Sequence, residues 1–100
     1  MVRGRVKAKR IFCVVAYDIE NDKNRTRVSK ILEKYGVRVN FSVFECMFTE
    51  TQLLKVENNI TELINGKKDS MIIYPICVDC FTRINYHPKF KKDSNLIQII

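Results

Sequence analysis

Alternating runs of apolar and polar residues divide the chain into short strands and two amphipathic helices. The first run, RIFCVVAYD at residues 10–18, is β-rich and almost continuously apolar, which is typical of a central strand covered on at least one face. From Asp22 the apolar period becomes helical, with positions i, i+3, i+4 and i+7 filled by Val28, Ile31, Leu32 and Tyr35. Gly36 follows where a C-cap is expected, so it is predicted to end the first helix.

The middle of the chain predicts two strands and a second helix. VRVNF and VFECMF are typical of short strands with a tight connection near Ser42. Thr49 is a candidate N-cap, and Gln52 three residues later completes a capping box. The second helix is predicted to end at Asn65-Gly66, and its apolar stripe consists of Leu53, Val56, Ile60, Leu63 and Ile64.

The C-terminal third predicts three further strands. SMIIYPICV is the fourth, and its Pro75 favours an edge or a bulge. FTRINY at residues 81–86 predicts a fifth strand, and NLIQII at residues 95–100 a short sixth. The order βαββαβ with an extra C-terminal strand predicts a ferredoxin-like α+β sandwich, in which two helices pack on one face of an antiparallel sheet. A chain of 100 residues is sufficient for one such domain with a single core.

Positive charge is concentrated at the two ends of the chain. Residues 1–10 have no acid and carry five basic side chains, Arg3, Arg5, Lys7, Lys9 and Arg10. Residues 11–88 hold ten basic and ten acidic side chains, and residues 89–100 add three lysines against one aspartate, which accounts for the net charge of +7. A basic arm over residues 1–10 is typical of a nucleic acid contact or of a solubilising tail. We therefore predict this arm, a domain over residues 11–88, and a C-terminal segment over residues 89–100.

The composition gives no indication of a membrane or secreted protein. No apolar run approaches the roughly 20 residues that span a bilayer, and MVRGRVKAKR lacks the apolar core of a signal peptide. We therefore expect a cytoplasmic protein. In that compartment its four cysteines, Cys13, Cys46, Cys77 and Cys80, are expected to remain free thiols.

Asp18 is the first candidate for chemistry, because it ends an apolar strand on a carboxylate. Magnesium takes one or two protein carboxylates and keeps several waters. One chain offers one such carboxylate here, and a second chain related by a two-fold axis could supply another Asp18 to the same ion. Such an ion lowers the pKa of bound water, as phosphodiester hydrolysis requires. The alternative is that Asp18 starts a turn or caps the next helix, and spacing leaves both open.

Two arginines and a pair of cysteines are further candidates. Arg25 and Arg27 have the guanidinium forks that suit phosphate, but from the residues alone a solvated helix face or local pairing with Glu20 and Asp22 is the better explanation. In CVDC, Cys77 and Cys80 have metal or redox spacing, but a closed zinc site needs four ligands. We expect these two cysteines to be packing residues.

Aromatic residues on the predicted strands suggest a third kind of site. An RNA-recognition module has the same order of elements and stacks bases on sheet aromatics, but NFSVFECMF lacks the base and glycine of its longer motif. Core packing is therefore the better interpretation of these aromatics, which are Phe12, Tyr17, Phe41, Phe44 and Phe48.

The stretch VVAYDIENDKNRTRVSKILEKYGVRVNFSVFECMFT, followed by a helix and DSMIIYPICVDC, resembles the CRISPR-associated protein 2 family over residues 11–86. The most specific parts are Tyr17-Asp18-Ile19, Arg25 before VSKIL, the Gly36 turn and SVFE at residues 42–45. Asn40 stands where the family usually has glutamine, and the basic arm precedes a strand at which members commonly begin.

The resemblance implies a homodimer in which the C-terminal strand of one chain extends the sheet of the other. It implies that Asp18 is the catalytic, metal-binding aspartate, with Mg²⁺ as the cofactor, and that nucleic acid is the ligand. Members are described as magnesium-dependent endonucleases on RNA or DNA, and as scaffolds that join two integrase dimers of the CRISPR-associated protein 1 type. We therefore expect a nucleic-acid-binding subunit of the CRISPR adaptation complex with endonuclease activity. The alternatives are a non-catalytic scaffold and a stand-alone toxin-type endoribonuclease.

Overall fold

The computed structural model describes residues 9–88, which form four strands and three helices. Arg3, Arg5, Lys7 and the predicted strand over residues 95–100 lie outside this range. In chain order the elements are β1 (Arg10–Asp18), α1 (Asp22–Glu33), β2 (Gly36–Asn40), β3 (Val43–Thr49), α2 (Glu50–Thr61), β4 (Ser70–Ile76) and α3 (Val78–Thr82).

The four strands form one antiparallel sheet in the order β2-β3-β1-β4. This order, with α1 and α2 on one face, confirms the predicted ferredoxin-like architecture. β1 is central, as its continuous apolar run predicts, and β4 is an edge strand, as its Pro75 favours.

The main core lies between the sheet and the two long helices. Val28 and Leu32 of α1 and Val56 and Ile60 of α2 are buried against it. The strand residues that meet them alternate along β1 and β3, since every second side chain of a strand points to the same face. These residues are Cys13, Val15, Tyr17, Phe44, Cys46 and Phe48.

Local capping confirms where both long helices begin. The Asn21 side chain accepts a hydrogen bond from the Asn24 backbone N–H and starts α1. Thr49 and Gln52 form the predicted capping box at the start of α2, with hydrogen bonds of 2.9 and 3.1 Å.

The face of the sheet away from the long helices is only partly covered; we call it the open face. Phe81 of α3 packs edge-on against Phe12 with ring centroids 4.5 Å apart, and it also contacts Met47. Tyr86 donates a hydrogen bond of 2.6 Å to the carboxylate of the buried Glu45 on the same face. Towards the other end of this face, Ile72 and Tyr74 of β4 are each 49% exposed.

The predicted strand over residues 81–86 is wrong. Phe81 and Thr82 belong to α3, and the described residues that follow form no strand. The Cys77 side chain caps this short helix by accepting from the Cys80 N–H, and Phe81 on its buried side fixes it to the sheet. The composition of FTRINY favours a strand, but this tertiary contact outweighs that preference.

Two predicted helix ends also differ from the structure. α2 ends at Thr61 rather than at Asn65-Gly66, and Leu63 and Ile64 pack on the core from the segment that follows. Lys34, not Gly36, is the C-cap of α1. Gly36 is the first residue of β2, where an added Cβ would lie 1.9 Å from the Glu45 carbonyl oxygen. This glycine therefore permits a close approach of two strands and is not a helix cap.

Candidate functional site

Asp18 is presented at the C-terminal end of β1, next to the start of α1. Its backbone pairs with Ser70, while its side chain is exposed. Among residues 9–88, the Asp18 carboxylate has no hydrogen-bond or ion-pair partner. It therefore neither caps α1, which Asn21 does, nor forms part of a turn through its side chain. The carboxylate remains free to bind a ligand.

The loop that follows Asp18 is held in place by Asp69. The Asp69 carboxylate accepts from the Glu20 N–H at 2.9 Å and from the Asn65 N–H at 2.8 Å, so it joins this loop to the segment before β4. These two backbone hydrogen bonds lower the pKa of Asp69 below its ordinary value. Asp69 thus supports the position of Asp18 from a distance of 51 residues along the chain.

Arg25 lies beside Asp18 and is also bound to the same loop. Its guanidinium donates to the Ile19 carbonyl oxygen at 2.8 Å and forms an ion pair with Asp22. The local pairing considered for Arg25 is therefore present, and it fixes the orientation of the guanidinium. Arg27 is exposed on the next part of α1 and does not line the groove described below. Lys9 and Arg10 are exposed at the start of β1, at the opposite end of that strand from Asp18.

A surface groove of about 330 Å³ lies between the end of β1, one side of α1, and β2 with the β2–β3 turn. The groove is lined by Tyr17, Asp18, Ile19, Arg25, Thr26, Ser29, Arg38, Phe41 and Ser42. Two arginines and one aspartate give this lining a net charge of +1 (2 − 1). The two arginines suit an anionic ligand, and Asp18 adds a carboxylate at the border of the same groove.

Arg38 is a groove residue that the sequence does not single out. Its guanidinium donates to the Phe41 carbonyl oxygen at 2.5 Å and lies over the Phe44 ring, 5.1 Å from the centroid. A second contact, to the Glu33 carboxylate, is 4.0 Å long. Arg38 is 20 residues from Asp18. Only the pairing of β2, β3 and β1 brings Arg38 and Asp18 to one groove, so no local sequence motif could reveal that Arg38 belongs to the site.

The Tyr17 hydroxyl is buried in the groove lining, close to the Arg38 guanidinium. Burial raises the pKa of Tyr17 above its ordinary value, and the nearby Arg38 and Arg25 charges partly offset this effect. The phenol is therefore a neutral hydrogen-bond donor at pH 7.

The four cysteines are free, and they fall into two different environments. Burial raises the pKa of Cys13 to about 11 and that of Cys46 to about 12, which makes both thiols unreactive. Cys77 and Cys80 are exposed, so their expected role as packing residues is wrong. Hydrogen bonds from the Cys80 backbone and side chain lower the pKa of Cys77.

Within residues 9–88, no group of three or more His, Cys, Asp or Glu side chains is placed to share a metal ion. Asp18 therefore offers a single carboxylate per chain. That donor set still fits magnesium, which takes one or two carboxylates and completes its coordination with water. The helices of the described part of the chain are too short or too polar to cross a membrane.

The fold and the groove together define a small ferredoxin-like protein with an acid and two arginines at the end of its central strand. Residues 11–84 match the model of the family described as CRISPR associated protein Cas2. The chain belongs to this family.

Curated relatives support the assignment. A CRISPR-associated endoribonuclease Cas2 of Rhodospirillum rubrum is 43% identical over 70 residues, which are 70% of this chain and 56% of that protein. A CRISPR-associated endonuclease Cas2 of Thermus thermophilus is 38% identical over 68 residues, covering 68% of this chain and 74% of the relative.

Solved structures agree on the fold. Cas2 of Streptococcus pyogenes superposes with a TM-score of 0.68 at 29% identity, covering 75% of this chain and 96% of that one. A chain of a partial Cas6-RT-Cas1–Cas2 complex superposes with a TM-score of 0.67 at 27% identity, covering 80% of this chain and 88% of its own length.

Proposed function

We propose that this protein is a nucleic-acid-binding subunit of the CRISPR adaptation complex and that it hydrolyses phosphodiester bonds with magnesium at Asp18. The observation that carries the proposal is the free Asp18 carboxylate at the end of β1, at the border of a groove that Arg25 and Arg38 line. Relatives named endoribonuclease or endonuclease support the reaction, and the similar chain in a complex with Cas1 supports an integrase partner.

Different residues of the site have different roles in binding a phosphodiester. Arg25 and Arg38 present guanidinium N–H groups that bind the phosphate oxygens, and their contacts to the Ile19 and Phe41 carbonyls hold them in position. Asp18 would hold Mg²⁺, which when bound supplies charge neutralisation and an acidic water. The proposal also assigns phosphate contacts to Arg27, which lies outside the groove, and to the arm residues Arg3, Arg5, Lys7, Lys9 and Arg10.

The same proposal includes a homodimer formed through the open face. Asp18 alternates with Tyr17 and therefore shares that face with Val14 and Ala16 of β1. Ile72 and Tyr74 beside them are half exposed, so the face carries apolar surface that a second copy would bury. A two-fold axis near the end of β1 would bring the two Asp18 carboxylates towards each other and provide two ligands for one ion.

The test compares wild-type protein with Asp18→Ala and with Glu57→Ala, in which an exposed acid of α2 outside the groove is removed. End-labelled RNA and duplex DNA are incubated with magnesium or with a chelator and run on native and denaturing gels. We expect magnesium-dependent cuts by wild type and Glu57→Ala, and none by Asp18→Ala, with binding retained by all three.

Two other results would contradict parts of the proposal. Equal cutting by Asp18→Ala would place the chemistry elsewhere or in a contaminant. Binding without cuts from any of the three proteins would make the chain a scaffold, and co-purification with an integrase would then be the measurement that identifies its partner.

A further inference from the structure

Phe41 is the most solvent-exposed of the large apolar side chains in the described part of the chain. It is 89% exposed, against 49–67% for Leu54, Ile72, Tyr74 and Val78. Phe41 is also the only one of these five that lines the Asp18 groove. Its prediction as a core residue is wrong, because it occupies the turn between β2 and β3 rather than a strand.

The backbone around Phe41 is fixed even though its ring is free. The Asn40 side chain accepts from the Phe41 N–H at 2.8 Å, and Arg38 donates to the Phe41 carbonyl oxygen. The next carbonyl, that of Ser42, accepts from the Tyr17 N–H at 3.0 Å. The ring therefore projects from a turn that is anchored on both sides, and little conformational freedom remains to be lost when a ligand binds it.

The surroundings of Phe41 identify the chemistry of such a ligand. Arg38 and Arg25 line the same groove and favour an anionic backbone, while the exposed ring offers an apolar, flat surface. A nucleotide with an unpaired base has both properties, since its base stacks on an aromatic ring while its phosphate meets the arginines. In a duplex the flat faces of the bases are already stacked on their neighbours.

We infer that Phe41 stacks on an unpaired base of the nucleic acid whose phosphates the groove arginines bind. The inference rests on the proposed function, because it assumes that the groove binds nucleic acid phosphates. It adds a positioning residue: Phe41 holds a base at the β2–β3 turn while Arg25 and Arg38 bind phosphate in the same groove.

The absence of tryptophan from this chain allows a direct spectroscopic test. Phe41→Trp introduces the sole indole of the protein at the stacking position, and Leu54→Trp places one on α2, outside the groove, as a matched control. Each variant is titrated in chelator with an oligonucleotide of about 12 nucleotides, with its duplex, and with the same single strand carrying abasic sites. We expect fluorescence quenching only for Phe41→Trp, and only with the intact single strand.

Affinity measurements on three further variants separate stacking from apolar contact. Phe41→Ala should bind the single strand about 5- to 150-fold more weakly than wild type, which is the range for loss of one stacked base. Phe41→Leu should resemble Phe41→Ala, Phe41→Tyr should resemble wild type, and duplex affinity should change little in all three.

The outcomes distinguish this inference from the proposed function. If wild type binds the single strand but the Phe41→Trp indole is not quenched and Phe41→Ala binds equally well, the stacking role is wrong and the proposed function stands. If Phe41→Ala changes the oligomeric state in light scattering, the ring packs on a second copy and the inference is also wrong. If wild type binds no nucleic acid of any kind, the proposed function itself fails.

Discussion

Phe41 and Phe44 show how strongly the surroundings of a residue determine its role. Both are phenylalanines of the same short stretch, and their positions in the sequence predict core packing for each. Phe44 is fully buried, stacked near Tyr17 with ring centroids 6.3 Å apart and covered by Arg38, whereas Phe41 is 89% exposed. The turn that reverses the chain between β2 and β3 separates the two environments, and its position depends on strand register.

This pair supports a prediction about stability. Phe44→Ala should lower the free energy of unfolding by about 3–5 kcal/mol, because a large core side chain is lost and leaves a cavity. Phe41→Ala, the matched control, should change it by less than about 0.5 kcal/mol. Urea unfolding followed by circular dichroism measures both. Similar midpoints for the two variants would mean that Phe44 is not a core residue.

At the scale of elements, the strands approach one another more closely than their sequences reveal. Gly36 follows a helix and therefore resembles a C-cap, but its role depends on Glu45 and Cys46 of β3, which are nine and ten residues later in the chain. A side chain at this position would meet the backbone of Glu45 and Cys46, which cannot rotate away as a flexible side chain can. The backbone conformation itself requires no glycine there, since no described residue has a positive φ.

Gly36→Ala should therefore lower the free energy of unfolding by about 2 kcal/mol or more. This is the upper part of the roughly 1–3 kcal/mol that overpacking costs. Gly66→Ala is the matched control, because no atom lies within 4 Å of an added Cβ at that position. The control should be neutral or more stable by up to about 1 kcal/mol, since alanine restricts the unfolded chain. Thermal and urea unfolding of both variants test the difference. Equal stability of the two would show that β2 and β3 do not meet at Gly36.

At the scale of the whole molecule, the two faces of the sheet differ in how they are covered. α1 and α2 pack along one face, while α3 and Tyr86 cover only the Phe12 end of the other. The remaining open face carries the half-exposed Ile72 and Tyr74 and is the surface to which we assign the dimer.

Ile72→Lys should convert the proposed dimer into a monomer, because two-fold symmetry places two new charges in one apolar interface. Leu54→Lys is the matched control, since Leu54 is similarly exposed, at 58%, but lies on α2. Size-exclusion chromatography with light scattering gives the mass, and circular dichroism checks that both variants fold. A dimeric Ile72→Lys variant would exclude the open face as the interface.

The sequence by itself determined the architecture of this protein and the family to which it belongs. The strand β1, both long helices, the Thr49–Gln52 capping box and Asp18 at a strand end follow from periods and caps that act within a few residues. The tertiary structure alone decided which residues share the groove with Asp18. Arg38 and Phe41 join it through strand pairing, and α3 replaces a predicted strand because Phe81 reaches the open face. Such contacts depend on residues far apart in the chain, and local sequence preferences do not encode them.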